Sequence, residues 1–374
     1  MNKRISRNLS KAERKALRQQ RRTERKTARQ ERRLARKKNG GKLKIALNTK
    51  INTFFDKEFE KIRIEREEKA LAQPLLKKHL NDLVGQYVLK AVINAAKSGV
   101  LPGVLGMATL IPEIVGSVKN QLRMVYDIGL ANGYKGDFLH KDLVIYVLLE
   151  ALSKKTTGIT LLEGNKMIVK PTGEKIPATI IKILSTIIVR QLVKSIVCKW
   201  LPGLGGLAVT AWSQHSTKKV ANKASGSFSK EIEISPKIVT IPTLEQMLKA
   251  EENLINQEDD DADFLKLMTL ISLMKMDGNI HINEIALFEE ILKNSDLDED
   301  EKDEIEDNLH TEEIIDLELD FFKNNDEEAL ALMMDLVALA KSDKSVHSKE
   351  SSFLFEVAEE IGFNRQELIQ ILIK

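Results

Sequence analysis

The stretch FLKLMTLISLMKMDGNIHINE at residues 264–284 recurs as LALMMDLVALAKSDKSVHSKE at residues 330–350. In each copy an apolar run of helical length leads into a short loop in which Asp, His and Glu keep the same spacing. These loop residues are Asp277, His281 and Glu284 in the first copy and Asp343, His347 and Glu350 in the second. A second apolar-periodic segment follows each loop, at residues 285–292 and 353–361. The C-terminal third is therefore predicted to be a duplicated helix–loop–helix unit.

This duplicated unit resembles the tellurite-resistance protein B (TerB) family, whose members pair two such helical halves. Family members carry an Asp-Gly-type loop followed by a Glu at the start of the next helix, and Asp277-Gly278 with Glu284 fits this pattern best. The second copy departs from it, because Lys344 stands where glycine is expected, and this makes a ligand role for Asp343 less secure. The resemblance covers residues 263–374. It implies a helical binding domain without enzymatic activity, in a stress-response or tellurite-resistance setting.

The paired loops allow two interpretations. The first is a site for a divalent, calcium-like cation, because carboxylate oxygens are the ligands that hard cations prefer. Its ligands would be Asp277, Glu284, Asp343 and Glu350, with His281 and His347 as weaker candidates. The second is helix capping, in which each His is the N-cap and each Glu three residues later accepts from the N-cap N–H. Both interpretations stay open at this point.

Charge is divided sharply along the chain. From Glu258 to the end, 33 acidic residues stand against 10 Lys and Arg, a net charge of −23. The first 257 residues consequently carry +26. The acidic run at residues 296–307 is interpreted as a solvated face, or else as a docking surface for a basic partner, which includes this protein's own N-terminal segment. A charge division of this kind indicates interacting tails and partners rather than a particular fold.

Residues 1–38 hold 17 Lys or Arg and only three acids. This composition predicts a basic tail that is disordered or a solitary helix. Attraction to an anionic membrane surface is one role for it. Salt-sensitive binding of nucleic acid or the ribosome through residues 1–45 is another, although no aromatic residue before Phe54 offers base stacking. A tail that serves only solubility, or that docks on the protein's own acidic region, is the third.

The middle of the chain contains a second repeat, in which Leu101-Pro102-Gly103 recurs as Leu201-Pro202-Gly203. With Gln121-Leu122-Arg123-Met124-Val125-Tyr126-Asp127-Ile128-Gly129, this pattern resembles the EcsC-like family of helical, membrane-associated bacterial proteins. The resemblance covers roughly residues 80–225 and brings no catalytic residues. It implies a helical domain with affinity for membrane surfaces. Packing of paired helices explains the Pro and Gly loops equally well.

The segment Ile176–Trp200 is a very apolar predicted helix. At 100° per residue, Lys182, Arg190 and Lys194 fall within about 120° of one another. A basic stripe on an apolar helix is typical of a helix lying in a membrane interface. A buried core helix with one basic edge is the alternative, and a full span would embed costly charges.

The predicted fold class is all-α, with two helical domains, a minor β-hairpin near residues 159–170 and the basic tail. The predicted boundaries are a tail at 1–46, an EcsC-like domain at 47–225, a linker at 226–245 and a TerB-like domain at 246–374. One cysteine, Cys198, excludes an intramolecular disulfide framework and fits a reducing compartment. No secretory signal is visible, so we expect a cytoplasmic protein, peripheral at the inner membrane.

No P-loop, nucleophile elbow or dinucleotide fingerprint is present, and the sequence predicts no enzyme. The favoured function is an adaptor at the membrane surface, in which the tail and apolar helices attach to lipid and the acidic module binds a metal ion or protein. The alternative is a soluble nucleic-acid- or ribosome-associated protein.

Overall fold

Helices account for most of the residues that the computed structural model describes. The described residues are 49–372, with gaps at 50–52, 55–56, 73–78, 97–110, 135–140, 154–158, 171–175, 196–201, 238, 257–259, 277, 279, 281, 296, 298, 312–314, 316, 324 and 342–345. The first copy of the Leu-Pro-Gly repeat and the basic tail at 1–46 lie outside this range, as does Cys198.

The helices fall into a middle part and a C-terminal part, joined by one connecting helix. The middle part has α1 (residues 57–72), α2 (Leu80–Ala96), α3 (Ile111–Ala131), α4 (Lys141–Leu152), α5 (Ile176–Val193) and α6 (Pro202–Phe228). The connecting helix is α7 (Ile241–Asn256). The C-terminal part has α8 (Asp260–Met274), α9 (Ile282–Asn294), α10 (Glu299–His310), α11 (Asp320–Lys323), α12 (Asp326–Ala340), α13 (Ser348–Glu360) and α14 (Arg365–Leu372). The predicted all-α class is confirmed.

A small sheet confirms the predicted hairpin and extends it. Strands β1 (Thr160–Glu163) and β2 (Lys166–Val169) pair antiparallel across a turn in which Gly164 has φ 57°. A third strand, β3 (Glu231–Ile234), pairs with β2 in parallel. Nothing in the local sequence predicts β3, because its parallel partner lies 65 residues away in the chain and leaves no local turn signal. It lies within residues 226–245, the predicted linker.

Helix α6 is the centre of the middle part and packs against α2, α3 and α4. It starts at Pro202, whose missing N–H costs nothing at a first helical position. The glycines of the second Leu-Pro-Gly copy therefore begin a helix, where the sequence predicted a loop. Each such glycine costs about 1 kcal/mol of helix propensity, and packing on several neighbours outweighs that cost. The α3–α6 contact is partly polar, with Ser117 Oγ 2.6 Å from Ser213 Oγ.

Helix α12 is the core of the C-terminal part. Fourteen of its residues are buried, from Glu327 to Ala340. It contacts α8, α11 and α13 on its own side and α5 and α6 of the middle part. Residues Leu47–Lys374 thus form one compact unit. The predicted domain boundaries within that unit stay a prediction.

Candidate functional site: a carboxylate cluster between two parts of the chain

The predicted loop residues divide into described and undescribed ones. Glu284 is the third residue of α9 and is buried. His347 directly precedes α13, and Glu350 is that helix's third residue. Asp277, His281 and Asp343 lie outside the described residues. The two described Glu residues therefore occupy equivalent positions at the start of their helices, as the repeat predicts.

The second loop forms a capping box. The His347 N–H donates to Glu350 Oε2 at 2.7 Å, and the Lys349 N–H donates to His347 Nδ1 at 3.4 Å. Both contacts satisfy amide groups that the first turn of a helix leaves without partners. The capping interpretation is confirmed for His347 and Glu350. Glu284 holds the same place relative to His281, and Gly278 has φ 85°, which suits the tight turn before it.

A metal role for these loops stays a prediction. Among the described residues, no group of three or more His, Cys, Asp or Glu side chains is placed to hold an ion. The predicted set is only partly within that search, because Asp277, His281 and Asp343 fall in its gaps. The Glu350 carboxylate is already committed to capping in this conformation.

A different set of carboxylates meets the basic edge of α5. Glu327 and Glu328 lie in the first turn of α12 and are buried. The Arg190 Nε–H donates to Glu327 Oε1 at 3.0 Å, and Arg190 also pairs with Glu251 of α7. Lys194 pairs with Glu328. Arg190 is fully buried, so its charge is balanced by these carboxylates rather than by water.

Three further contacts complete this carboxylate cluster. The buried Lys266 of α8 lies 2.6 Å from Glu328 Oε2 and donates to the backbone carbonyl of Lys194 at 2.7 Å. The Ser195 hydroxyl donates to Asp335 Oδ1 at 2.5 Å, although Asp335 sits within the apolar run of α12. The cations thus gather at the end of α5 and two of the acids at the start of α12, where the helix dipoles favour each charge.

Electrostatics favour the charged forms of Glu328 and Lys266. Burial alone would raise the pKa of Glu328, but the neighbouring Lys266 and Lys194 ammonium groups hold this pKa at about 2. Burial alone would lower the pKa of Lys266, and Glu328, Asp263 and Asp335 raise it above its usual value. Glu328 therefore stays ionised between two cations, one from each part of the chain.

The predicted basic stripe of Lys182, Arg190 and Lys194 lies mostly against this cluster. Arg190 and Lys194 face protein carboxylates, and only Lys182 is exposed, 4.0 Å from Glu252. The apolar faces of α5 pack on α4 and α7. In this conformation α5 is a core helix with a basic edge, which was the alternative to the interfacial helix. The sequence did not predict these carboxylate partners, because Glu327 lies 137 residues from Arg190. The signal that could have indicated them is the pair Glu327-Glu328 directly before the apolar run of α12.

A small cleft lies beside the cluster, where α6 meets the C-terminal part. The His215 Nδ1 is 2.7 Å from Glu367 Oε2, and the His215 ring stacks on Phe363 with centroids 5.6 Å apart. The cleft is lined by Leu152, Gln191, His215, Ser216, Lys219, Asp326, Glu327 and Leu330. Its volume of about 20 Å³ has room for roughly one water molecule. The packing between the two parts is therefore incompletely filled here.

A second buried charge cluster joins helices of the middle part. Asp127, from the motif that resembles the EcsC-like family, accepts from the Tyr87 hydroxyl at 2.6 Å and from Arg66 Nη1 at 3.2 Å. Burial raises the pKa of Asp127, and the Tyr87 and Arg66 contacts only partly oppose this. Burial likewise raises the pKa of Tyr87. This cluster ties α1, α2 and α3 together, which is a structural role.

The predicted acidic run forms the outer face of α10. Glu299, Asp300, Asp303, Glu306 and Asp307 are exposed, while Ile305 and Leu309 are buried against the C-terminal part. The exposed side of α10 is therefore strongly negative, while its apolar side is buried in the C-terminal part.

The C-terminal part of the chain is similar to a known protein family. Residues 265–372 match the family model of tellurite resistance protein TerB. The match begins inside α8 and ends with α14, so it includes both Asp-His-Glu loops and the Glu327, Glu328 and Asp335 carboxylates. No curated protein and no solved structure matches the chain.

The TerB match confirms the predicted resemblance of the C-terminal region, while the EcsC-like resemblance of the middle part stays a prediction. In the described part of the chain, none of the helices combines the length and the apolar character that crossing a bilayer requires.

Proposed function

We propose that the protein is a non-enzymatic adaptor in a bacterial stress or tellurite-resistance-type system. The basic N-terminal segment attaches it peripherally to the anionic inner face of the membrane, and the TerB-matching region binds a protein partner. The opposite charges of the two ends, together with the TerB match over residues 265–372, are the observation that supports this division of labour.

The N-terminal segment supplies the lipid contact in this proposal. Its 17 Lys or Arg residues within 38 positions would each contribute about 1 kcal/mol near an anionic surface. The apolar helix α5 does not contribute in the described conformation, because its basic edge meets Glu251, Glu327 and Glu328. Attachment is accordingly expected to be electrostatic and to weaken at high salt.

Flotation of the full chain with vesicles tests the attachment. Phosphatidylcholine vesicles containing phosphatidylglycerol should carry the protein, and pure phosphatidylcholine vesicles should not. Replacing Arg32, Arg33, Arg36, Lys37 and Lys38 by Gln should lower the bound fraction strongly. Equal flotation of this variant and the wild type would remove the basic segment from the proposal. Tight binding to RNA or DNA with no flotation would favour the nucleic-acid alternative.

The acidic face of α10 is the surface proposed for a basic protein partner. Its exposed carboxylates lie on one side of a helix whose other side is anchored by Ile305 and Leu309. Charge complementarity of this kind speeds association and fixes orientation. Cross-linking in cells with the Asp303→Asn/Glu306→Gln variant as the comparison tests it. A partner captured equally by both proteins would rule out this face.

A divalent cation at the paired loops is the remaining part of the proposal. Calorimetry of the full chain with calcium, magnesium and zinc, alongside Asp277→Asn and Asp343→Asn variants, measures it directly. Heat that disappears in the variants supports ligation by the loops. An absence of heat with every ion leaves His347 and Glu350 as caps alone, a role that the capping box already gives them.

A further inference from the structure

Strand β3 forms one edge of the small sheet. It lies last in the strand order, next to β2. The Glu231 N–H donates to the Asn165 carbonyl, in the turn before β2, at 3.1 Å. Because every second residue of a strand directs its N–H and C=O to the same neighbour, those of Ile232 and Ile234 point away from β2. Outward-facing backbone groups of this kind can pair with a strand of another chain.

An exposed apolar side chain adds to the tendency of this edge to pair. Ile234 is 60% exposed, whereas Val169, its partner on β2, is buried. A fourth strand would cover that side chain and would also satisfy the outward-facing backbone groups. The edge is therefore a site for self-association unless another group of the chain occupies it.

Tyr134, just after the end of α3, occupies this edge. Its hydroxyl donates to the Lys230 carbonyl. Burial raises the pKa of this hydroxyl, and the Ile232 N–H, which faces the same oxygen, partly opposes that rise. The ring packs on the buried Phe228, with centroids 5.7 Å apart. The hydroxyl thus meets one carbonyl and one N–H on the outer side of β3, as a neighbouring strand would.

We propose that the Tyr134 hydroxyl closes the outer edge of β3 and keeps a second copy of β3 from adding to the sheet as a fourth strand. The inference goes beyond the proposed function and does not depend on it, because neither the basic N-terminal segment nor the acidic face of α10 takes part. Loss of this hydroxyl consequently makes the sheet edge an interface between two copies of the chain.

The pattern of β3 identifies a second copy as the strand that would add. In an antiparallel pair about a two-fold axis, Ile232 of each copy would exchange both backbone hydrogen bonds with Ile234 of the other. Tyr134 withdraws the Ile232 N–H from that pair. The same register places the two Glu233 residues directly opposite each other, which disfavours pairing. Lys166, 2.9 Å from Glu233, lessens that repulsion, so Tyr134 is the main barrier.

Two substitutions at Tyr134 test the proposal in the full chain. Tyr134→Phe removes the hydroxyl and keeps the ring, whereas Tyr134→Ala removes both. Hydrogen exchange at the Ile232 amide should accelerate about tenfold in either variant, because this N–H loses its partner. Sedimentation velocity at high ionic strength, which screens attraction between unlike charges, measures self-association. Tyr134→Ala should associate at a concentration about tenfold below that of the wild type, and adding Glu233→Gln should lower it further. No gain in the double variant would overturn the proposal.

Tyr126→Phe is the matched control for the loss of a hydroxyl. Tyr126 also belongs to α3, and its buried hydroxyl has no hydrogen-bond partner among the described residues. This variant should match the wild type both in exchange at Ile232 and in self-association. Equal self-association of Tyr126→Phe and Tyr134→Phe above the wild-type level would overturn the proposal, because loss of either phenol hydroxyl would then suffice.

A proline in β3 separates strand addition from loss of the fold. The Ile234 N–H points away from β2, so Ile234→Pro removes no hydrogen bond within the sheet and suits an edge strand. Added to Tyr134→Ala/Glu233→Gln, it should return self-association to the wild-type level. Ile234→Val, which keeps the N–H, should leave the gain in place. Association that persists with proline, or that valine removes equally well, would overturn the proposal, because backbone pairing would not be its cause.

Discussion

Glu328 and Asp127 are both buried carboxylates, yet their surroundings push them in opposite directions. Two ammonium groups hold the pKa of Glu328 at about 2 against the effect of burial. Asp127 has one guanidinium and one phenol hydroxyl as partners, and burial outweighs them and raises its pKa. The first carboxylate lies between two parts of the chain and the second lies inside one part. The Glu328 site, at the contact between the parts, is thus more strongly charged than the Asp127 site inside the middle part.

Removing the buried guanidinium of the carboxylate cluster should have the largest effect. Arg190→Met leaves Glu327 and Glu251 without their cation in a site where Arg190 is fully buried. Breaking such a pair costs about 3–5 kcal/mol of the free energy of unfolding, which denaturant titration measures. Lys182→Met is the control, since Lys182 is exposed and should change stability by less than about 0.5 kcal/mol. Similar losses in both variants would contradict a buried role for Arg190.

Glu328→Gln should lower stability by about 3 kcal/mol near neutral pH, following from the depressed pKa. The folded-state pKa lies below the ordinary value of 4.5, so this stabilisation is complete above about pH 4.5 and is lost as the pH falls toward 2. The difference in unfolding free energy between wild type and variant should shrink over that window. A difference that is independent of pH would show that Glu328 acts through packing rather than charge.

Asp127→Asn should show the opposite pH dependence with a smaller effect, about 1 kcal/mol at neutral pH, typical of an altered hydrogen bond. Because burial raises the folded-state pKa of Asp127, wild type gains stability as the pH falls through that pKa. The penalty of the substitution should therefore grow in mild acid. Tyr87→Phe, which removes only the hydroxyl donor, provides the reference. Parallel pH profiles for the Glu328 and Asp127 variants would erase the contrast between the two sites.

The smallest predicted effect belongs to the Asp-His-Glu loop of the second repeat. His347→Ala removes one acceptor from the capping box of α13 and should cost about 1 kcal/mol or less. Asn364→Ala, which removes the cap from the Gln366 and Glu367 amides of α14, is a matched comparison. A loss of several kcal/mol at His347 alone would point to a role beyond capping.

The sequence predicted the features that depend on neighbours along the chain. The duplicated loops placed Glu350 at the third helical position, and the capping box is present there. The hairpin around Gly164, with φ 57°, follows from local turn chemistry in the same way.

The sequence did not predict contacts between residues that are far apart in the chain. The pattern identified the cationic side of α5, but nothing in it shows that Glu327 would meet Arg190 across 137 residues rather than water or lipid. The sequence also did not predict strand β3 or the helical start of α6 at Pro202. In both places tertiary contacts outweigh weak local preferences.

The position of Lys266 bears on how such a chain could be assembled from pieces. Because this lysine neutralises Glu328 from within the C-terminal part, the carboxylate keeps an ammonium partner whether or not an upstream segment supplies Lys194. The charge of Glu328 is therefore no obstacle to exchange of the upstream segment, although the contacts of α12 with α6 would have to be replaced. Chains in which an apolar residue replaces Lys266 should tolerate that exchange poorly.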